Sequence, residues 1–234
     1  MSIVENIAQV RERIGIAAVA ARRNPAEITL MGVSKTFPPE SIREAYAAGI
    51  RVFGENRVQE FAGKADALRD LADASWHMIG HLQSNKAGKA AELFQAVDSV
   101  DSLKLAERLN EAARAASKKL RVLIEINVGG EAAKTGIAPD SSELDRLLAE
   151  MPRLQHLEVR GLMTVPPYAD DPQGARPYFR RLRELRDQIA GRHLAGIGMK
   201  ELSMGMSHDF EVAIEEGSTC VRVGSAIFGS RAKA

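Results

Sequence analysis

The sequence predicts a (β/α)8 barrel with one extra helix at its start. Short strand-like runs alternate with longer helical runs along most of the 234 residues, and eight of these runs are strand candidates. Right-handed crossovers connect successive parallel strands, and eight such strands can close on themselves. An open parallel sheet of about six strands is the nearest alternative.

The predicted elements follow a regular order. A helix over residues 3–22 comes first, because apolar residues recur on one helical face at Ile3, Ile7, Val10 and Ile14, and we expect it to pack outside the barrel. Strands are predicted at 28–33, 51–53, 76–79, 96–100, 121–127, 157–163, 201–204 and 219–224. Helices are predicted between them at 40–48, 58–71, 86–92, 103–117, 142–151, 175–189 and 210–216.

The chain shows no linker that would divide it into domains. We predict a single domain over residues 1–234, with the barrel at 28–232. The stretch 165–172, which contains three prolines, is typical of a long surface loop.

Composition excludes several classes of function. A formal net charge of +1, with 45% hydrophobic and 27% charged residues, describes a soluble globular protein and favours neither nucleic acid nor membrane as a partner. The lone Cys220 cannot form an internal disulfide, and charged residues interrupt the opening helix, so we expect a cytoplasmic protein without a targeting segment. The spacing of His77 and His81 does not fit a helical zinc motif, and we expect no metal site.

Candidate functional residues collect at the carboxyl ends of the predicted strands, the end at which barrel enzymes carry their active sites. The residues are Lys35, Asn56, His81, Asn127, Met163, Ser203 and Arg222. Because side chains alternate along a strand, Lys35 shares a face with Val33, and Arg222 shares one with Gly224. If that face points inward, Lys35 and Arg222 meet at the mouth of the barrel.

Lys35 ends an apolar run. Met31, Val33 and Phe37 could give it a partly desolvated setting, which favours the neutral amine that attacks an aldehyde. On spacing alone, a solvated lysine after a strand is the favoured explanation of this residue.

Two segments late in the chain could bind an anion. In the first, Gly205 permits a close backbone approach, and the hydroxyls of Ser203 and Ser207 can donate hydrogen bonds. Gly224 and Ser225 begin the second segment, near strand eight, where barrels often bind phosphate. A turn followed by a helix cap is the simpler alternative. An amine together with a phosphate cradle is the chemistry needed to hold pyridoxal 5′-phosphate (PLP).

Five segments carry a resemblance to a known family. Residues 33–35, 53–57, 77–86, 202–207 and 221–229 closely resemble the pyridoxal phosphate homeostasis protein family, in family order and across nearly the whole chain. The resemblance implies an alanine-racemase-like barrel that binds PLP through an imine to Lys35, without an established catalytic reaction.

The resemblance also implies roles for individual residues. The phosphate shell would consist of Ser203, Ser207, Gly224 and Ser225. Asn56 would lie near the cofactor ring, and Arg222 near either the pyridine nitrogen or the phosphate. A guanidinium beside the ring nitrogen donates but cannot accept, so it would weaken the ring as an electron sink. Lys134 is either a second amine near the cofactor or an exposed side chain.

The favoured function is a binding protein in intracellular PLP homeostasis that buffers or delivers the cofactor. We expect it to be a monomer without catalytic residues, with PLP, other B6 vitamers and PLP-dependent apoenzymes as partners. A PLP-dependent racemase is the first alternative, but it needs a second acid/base group, and Tyr46, Tyr168 and Tyr178 all lie away from predicted strand ends. A lysine-dependent aldolase is the second alternative.

Overall fold

Eight parallel strands form the centre of the molecule. The computed structural model describes residues 2–131 and 134–229, in which the strands pair in chain order and the last closes on the first. The strands are β1 (Thr29–Val33), β2 (Val52–Glu55), β3 (Ser75–Met78), β4 (Ala96–Val100), β5 (Leu120–Glu125), β6 (Leu157–Met163), β7 (Ile197–Ser203) and β8 (Cys220–Val223). The barrel predicted from the sequence is confirmed.

Nine α-helices in the described part of the chain surround or extend this barrel. They are α1 (Ile3–Ala20), α2 (Pro39–Ala47), α3 (Val58–Ala65), α4 (Ala87–Leu93), α5 (Leu103–Ala115), α6 (Ser142–Glu150), α7 (Arg176–Gly191), α8 (Phe210–Glu215) and α9 (Ser225–Phe228). Within residues 2–131 and 134–229, none combines the length and apolar character that a membrane crossing requires.

Helix α1 starts at a capping box and packs outside the barrel. The Ser2 hydroxyl accepts from the Glu5 backbone N–H at 3.2 Å, and the Ser2 N–H donates to the Glu5 carboxylate at 2.8 Å. Ile7, Val10 and Ile14 are buried, and the helix lies against α2, α8 and α9. The apolar face read from the sequence is therefore the face that docks.

The core has two layers, one inside the barrel and one between the strands and the helices. All five residues of β4 are buried, as expected for a parallel strand covered on both faces. In the outer layer, Phe61 of α3 packs between Trp76 and Phe94, with ring centroids 4.8 and 5.0 Å apart. Such packing holds α3 against the strands that position the site.

The largest boundary differences have identifiable causes. The predicted helix 58–71 ends at Ala65 and tightens into a 3-10 turn at Asp66–Leu68. The predicted strand 121–127 ends at Glu125, although Ile126 still forms an isolated bridge to Ile137. The strand predicted at 201–204 begins at Ile197, because backbone pairing with β6 extends it. The single-domain prediction stays a prediction, since Met1 and residues 230–234 lie outside the described residues.

Candidate cofactor-binding site

A cavity of about 450 Å³ opens at the carboxyl ends of the strands. This volume falls within the range of roughly 300–1,000 Å³ that is usual for small-molecule sites. Six of the seven predicted binding residues line it: Lys35, Asn56, Ser207, Arg222, Gly224 and Ser225. Loops after β1, β2, β7 and β8 thus meet at one place.

Lys35 lies in a tight turn directly after β1. The Phe37 backbone N–H donates to the Ser34 carbonyl at 3.2 Å, and Thr36 adopts a left-handed conformation with φ of 67°. Lys35, Val33 and Phe37 all line the cavity, so the lysine stands beside apolar side chains, as its sequence context suggested.

Arg222 is buried and lines the cavity. Only 4% of the residue is exposed, and its guanidinium donates to the Ser203 hydroxyl and to the Thr164 carbonyl, each at 2.7 Å. Burial lowers the pKa of Arg222 from its very high ordinary value, while nearby acidic groups, including Asp98 and Glu125, raise it. A guanidinium remains charged in proteins, so Arg222 supplies a fixed positive charge with hydrogen bonds only to donate.

Ser203, the seventh predicted residue, does not line the cavity. It is fully buried, and its hydroxyl accepts the hydrogen bond from Arg222. A direct phosphate contact by Ser203 stays a prediction. The geometry gives this hydroxyl a role in orienting Arg222.

Ser207 joins the two late loops. Its hydroxyl accepts from the backbone N–H groups of Gly224 and Ala226, both at 3.3 Å. Gly205 shapes the loop that carries Ser207: its φ is +93°, and a Cβ there would lie 2.6 Å from the Cβ of Ala213. The hydroxyl is thereby held beside both backbone donors, and Ser207 and Gly224 line the cavity.

An aromatic pair connects the Lys35 turn to the last helix. The rings of Phe37 and Phe228 stack with centroids 4.9 Å apart and an interplanar angle of 27°. Phe37 follows Lys35 by two residues, and Phe228 ends α9, which begins at Ser225. The stack therefore connects the Lys35 turn to α9, whose first residue, Ser225, lines the same cavity.

Three other residues singled out in the sequence point elsewhere. The His81 imidazole lies 3.0 Å from the Asp101 carboxylate, and the Asn127 side-chain amide donates to the Glu131 carbonyl at 2.9 Å. Met163 is fully buried. These residues share a barrel end with Lys35 but do not line its cavity.

Lys134 borders a smaller adjoining cavity of about 200 Å³. Its ammonium pairs with the Glu131 carboxylate at 2.5 Å and donates to the Pro166 carbonyl at 3.2 Å. The two cavities share lining residues, Tyr168 among them. Ala132 and Ala133, in the same predicted loop, lie outside the described residues.

Two aromatic residues of the cavity wall were not predicted from the sequence. Tyr168 and His208 both line it, and their rings stack with centroids 5.6 Å apart. Tyr168 lies in the loop after β6, away from the strand ends on which the prediction relied. The signal that could have found it is the loop itself, because loops after barrel strands build barrel active sites.

A buried carboxyl lies near Arg222 at the end of β5. One oxygen of Glu125 accepts from the Thr135 hydroxyl at 2.7 Å, and the other has no hydrogen-bond partner among the described residues. Burial raises the pKa of Glu125, and the hydrogen bond from Thr135 partly opposes that rise. Across residues 2–131 and 134–229, no group of three or more His, Cys, Asp or Glu side chains could hold a metal ion.

Comparison with known proteins identifies the family to which this chain belongs. Residues 3–232 match the alanine racemase N-terminal domain family. The pyridoxal phosphate homeostasis protein of Aquifex aeolicus is 47% identical, with 99% of each chain covered, and that of Pseudomonas aeruginosa is 47% identical, covering 98% of this chain and 96% of the relative. The structure of PipY from Synechococcus elongatus with PLP bound superposes with a TM-score of 0.85 at 37% identity, covering 97% of this chain and 100% of PipY. This chain belongs to the alanine racemase N-terminal domain family and, within it, to the pyridoxal phosphate homeostasis proteins.

Proposed function

We propose that the protein binds PLP in the cavity at the carboxyl end of the barrel and serves PLP homeostasis by buffering or delivering the cofactor. The observation that carries this proposal is that Lys35, Arg222 and Ser207 line one cavity. The names of the relatives and the PLP bound in PipY support it.

The polar groups of the cavity suit a phosphorylated ligand. The N–H groups of Gly224 and Ala226 donate to the Ser207 hydroxyl at 3.3 Å, which is long for a hydrogen bond. A phosphate oxygen is a stronger acceptor for such donors, because charge-assisted hydrogen bonds are shorter and about twice as strong. Arg222 adds positive charge behind them.

Lys35 suits the aldehyde end of the ligand. In the proposed tether, the lone pair of the neutral amine attacks the aldehyde carbon, a carbon–nitrogen double bond replaces the carbonyl, and the oxygen leaves as water. The apolar side chains of Val33 and Phe37 line the same cavity as Lys35.

The character of the cavity wall favours holding the cofactor over catalysis. Bound PLP supplies an electron-withdrawing ring, which is strongest when a carboxylate keeps its nitrogen protonated. Among the described residues that line the cavity, none is Asp or Glu, whereas Arg222 can only donate. This distribution of charge supports a non-enzymatic role.

Reductive trapping tests the proposal. Protein incubated with PLP and then treated with borohydride should carry one phosphopyridoxyl adduct, which peptide mapping should find at Lys35. The Lys35→Ala variant should carry none, and the control Lys89→Ala, on the outer helix α4, should match the wild type. An adduct at another side chain, or no adduct at all, would refute the proposal.

One observation favours a racemase as a second candidate. Tyr168 lines the same cavity as Lys35 and could supply a second acid/base hydroxyl, although 78% of the residue is exposed. Incubation of the PLP-loaded protein with amino acids in deuterated water separates the two functions. Stereospecific α-deuterium uptake at enzymatic rates, lost in Tyr168→Phe, would establish the racemase and overturn the non-enzymatic role. Binding of other B6 vitamers, transfer to apoenzymes and a monomeric state stay predictions.

A further inference from the structure

The turn that carries Lys35 has an unfavourable backbone conformation. Thr36, a β-branched residue, has φ of 67°, in the left-handed region that such residues rarely adopt. Its backbone N–H donates to the Glu60 carboxylate of α3 at 2.5 Å. Strain of this kind persists only where surrounding contacts enforce it, and it is concentrated at functional sites.

Further contacts to this turn come from Lys64, one helical turn after Glu60. The Lys64 ammonium donates to the Ser34 carbonyl at 3.1 Å and to the Phe37 carbonyl at 3.4 Å. These two carbonyl groups lie at the first and last residues of the turn. One buried cation on α3 therefore holds both ends of the segment in which Lys35 lies.

The Lys64 cation is itself fixed by carboxylates. Its nitrogen lies 2.9 Å from the carboxylate of the fully buried Glu55 and 3.4 Å from that of Glu60, and only 8% of the Lys64 side chain is exposed. The Glu55 carboxylate also accepts from the Ser34 hydroxyl at 2.5 Å. Together, these three side chains contact the backbone of Ser34, Thr36 and Phe37. They also contact the hydroxyl of Ser34.

A stability role alone explains this cluster poorly. Replacing a buried ion pair with well-packed apolar residues is often neutral or stabilising, because desolvation offsets the attraction between the charges. Glu55, Glu60 and Lys64 are all absent from the cavity wall, so they contact a ligand there only through the turn.

We propose that Lys64, with Glu55 and Glu60, is a positioning device that fixes the backbone of residues 34–37 and thereby aims the Lys35 amine into the cavity. This inference rests on the proposed function. The amine must approach one carbon of the ligand closely, whereas Arg222 and Ser207 bind from other loops. Loosening the turn should therefore reduce imine formation and leave noncovalent binding nearly unchanged.

Two ligands separate these effects. PLP can form the imine, and pyridoxine 5′-phosphate, which has an alcohol in place of the aldehyde, cannot. In Lys64→Met, PLP affinity should fall roughly tenfold or more, since a displacement of about 1 Å can cost a hundredfold in reactions between oriented groups. Affinity for pyridoxine 5′-phosphate should change by less than about twofold. The matched control is Lys89→Met, whose ammonium pairs with Glu92 on the surface of α4 and should change neither affinity.

The outcomes distinguish failure of this inference from failure of the proposed function. If the wild type gives no borohydride-trapped adduct at Lys35, the proposed function is wrong. If the wild type gives the adduct but Lys64→Met gives it equally fast and binds PLP equally well, the positioning role is wrong. Equal weakening of both ligands would also overturn it, because that result indicates general damage to the barrel.

A second variant covers the case in which Lys64→Met fails to fold. Burial already raises the pKa of Glu55, and Lys64 opposes that rise, so removal of Lys64 favours the protonated carboxyl. The double variant Glu55→Gln with Lys64→Met keeps an acceptor for Ser34 without a buried charge. It should show the same selective loss of PLP affinity, and an unaltered ratio of the two affinities would contradict the proposal.

Thr36 and Glu60 allow an independent test by a double-mutant cycle. Glycine adopts positive φ without strain, so Thr36→Gly should reduce the need for the Glu60 contact. Glu60→Ala should weaken PLP binding roughly tenfold in the wild-type background. In the Thr36→Gly background it should weaken PLP binding less than about threefold. Equal losses in the two backgrounds would show that Glu60 does not act through the conformation of the turn.

Discussion

The Arg222 guanidinium donates a 2.7 Å hydrogen bond to the hydroxyl of Ser203, at the level where β7 and β8 pair. Arg222 lines the cavity and Ser203 lies behind it, fully buried. Ser207, four residues later, lines the cavity and accepts from two backbone N–H groups. Two serines that the sequence grouped together therefore act at different depths, one through Arg222 and one at the cavity wall.

This arrangement predicts that the phosphate selectivity depends mainly on Ser207. In Ser207→Ala, PLP should lose roughly 1.5–3 kcal/mol of binding free energy, the usual value of a hydrogen bond to a charged group, while pyridoxal should lose much less. Adding Ser203→Ala to Ser207→Ala should leave the ratio of the PLP and pyridoxal affinities nearly where Ser207→Ala alone puts it. Equilibrium dialysis with both ligands measures the difference, with Ser84→Ala, outside the cavity, as the control. Equal weakening of the two ligands by Ser207→Ala would place the phosphate elsewhere.

Gly205 should be the least replaceable glycine of the site. Alanine there must adopt φ near +93° and put its Cβ 2.6 Å from that of Ala213, so we expect a loss of about 2 kcal/mol or more in the free energy of unfolding. Chemical denaturation measures it. Gly88→Ala is the control, because a Cβ at Gly88 in α4 meets no atom within 4 Å and should add roughly 0.5–1 kcal/mol. Similar stability of the two variants would contradict the prediction.

The buried carboxyl of Glu125 should make stability depend on pH. Burial raises its pKa in the folded protein, so the unfolded chain loses the proton first as the pH rises. Folding stability should fall as the pH rises from about 4.3, the ordinary pKa, to the raised pKa of the folded protein. The loss should be about 1.4 kcal/mol for each pH unit that separates these two pKa values.

The variant Glu125→Gln isolates this effect because it resembles the protonated carboxyl. Its free energy of unfolding should match that of the wild type near pH 4 and exceed it above the folded pKa. Denaturation curves between pH 4 and 8 provide the measurement, with the exposed Glu12→Gln as the control. A difference between Glu125→Gln and the wild type that is constant over this range would contradict the prediction.

Cys220 should be inert in the folded protein. Burial raises the pKa of its thiol to about 12, and only the thiolate reacts with alkylating reagents. At neutral pH we expect iodoacetamide to react more than about a thousandfold faster with the unfolded chain, given an ordinary thiol pKa of about 8.5. Mass spectrometry in buffer and in denaturant checks this, and rapid labelling of the folded protein would contradict it.

The fold and most of the cavity wall could be predicted from local patterns. Alternating strand and helix runs predicted the closed barrel, because each element needs only its own periodicity to be recognised. Lys35, Asn56 and Arg222 were found because strand ends place residues at one end of a barrel. The same rule also selected His81 and Asn127. Their side chains instead contact Asp101 and Glu131.

By itself, the sequence determined the barrel, the family and the presence of Lys35 and two late loops at one end of the barrel, because these depend on periodicity and on motifs that are contiguous in the chain. Only the tertiary structure decided that Ser203 lies behind Arg222, that Tyr168 reaches the cavity and that Lys64 lies beneath the Lys35 turn. Each depends on the path of a loop or on the contact of a helix with its neighbour. These contacts join residues that are far apart in the chain. They follow from packing, which no local pattern encodes.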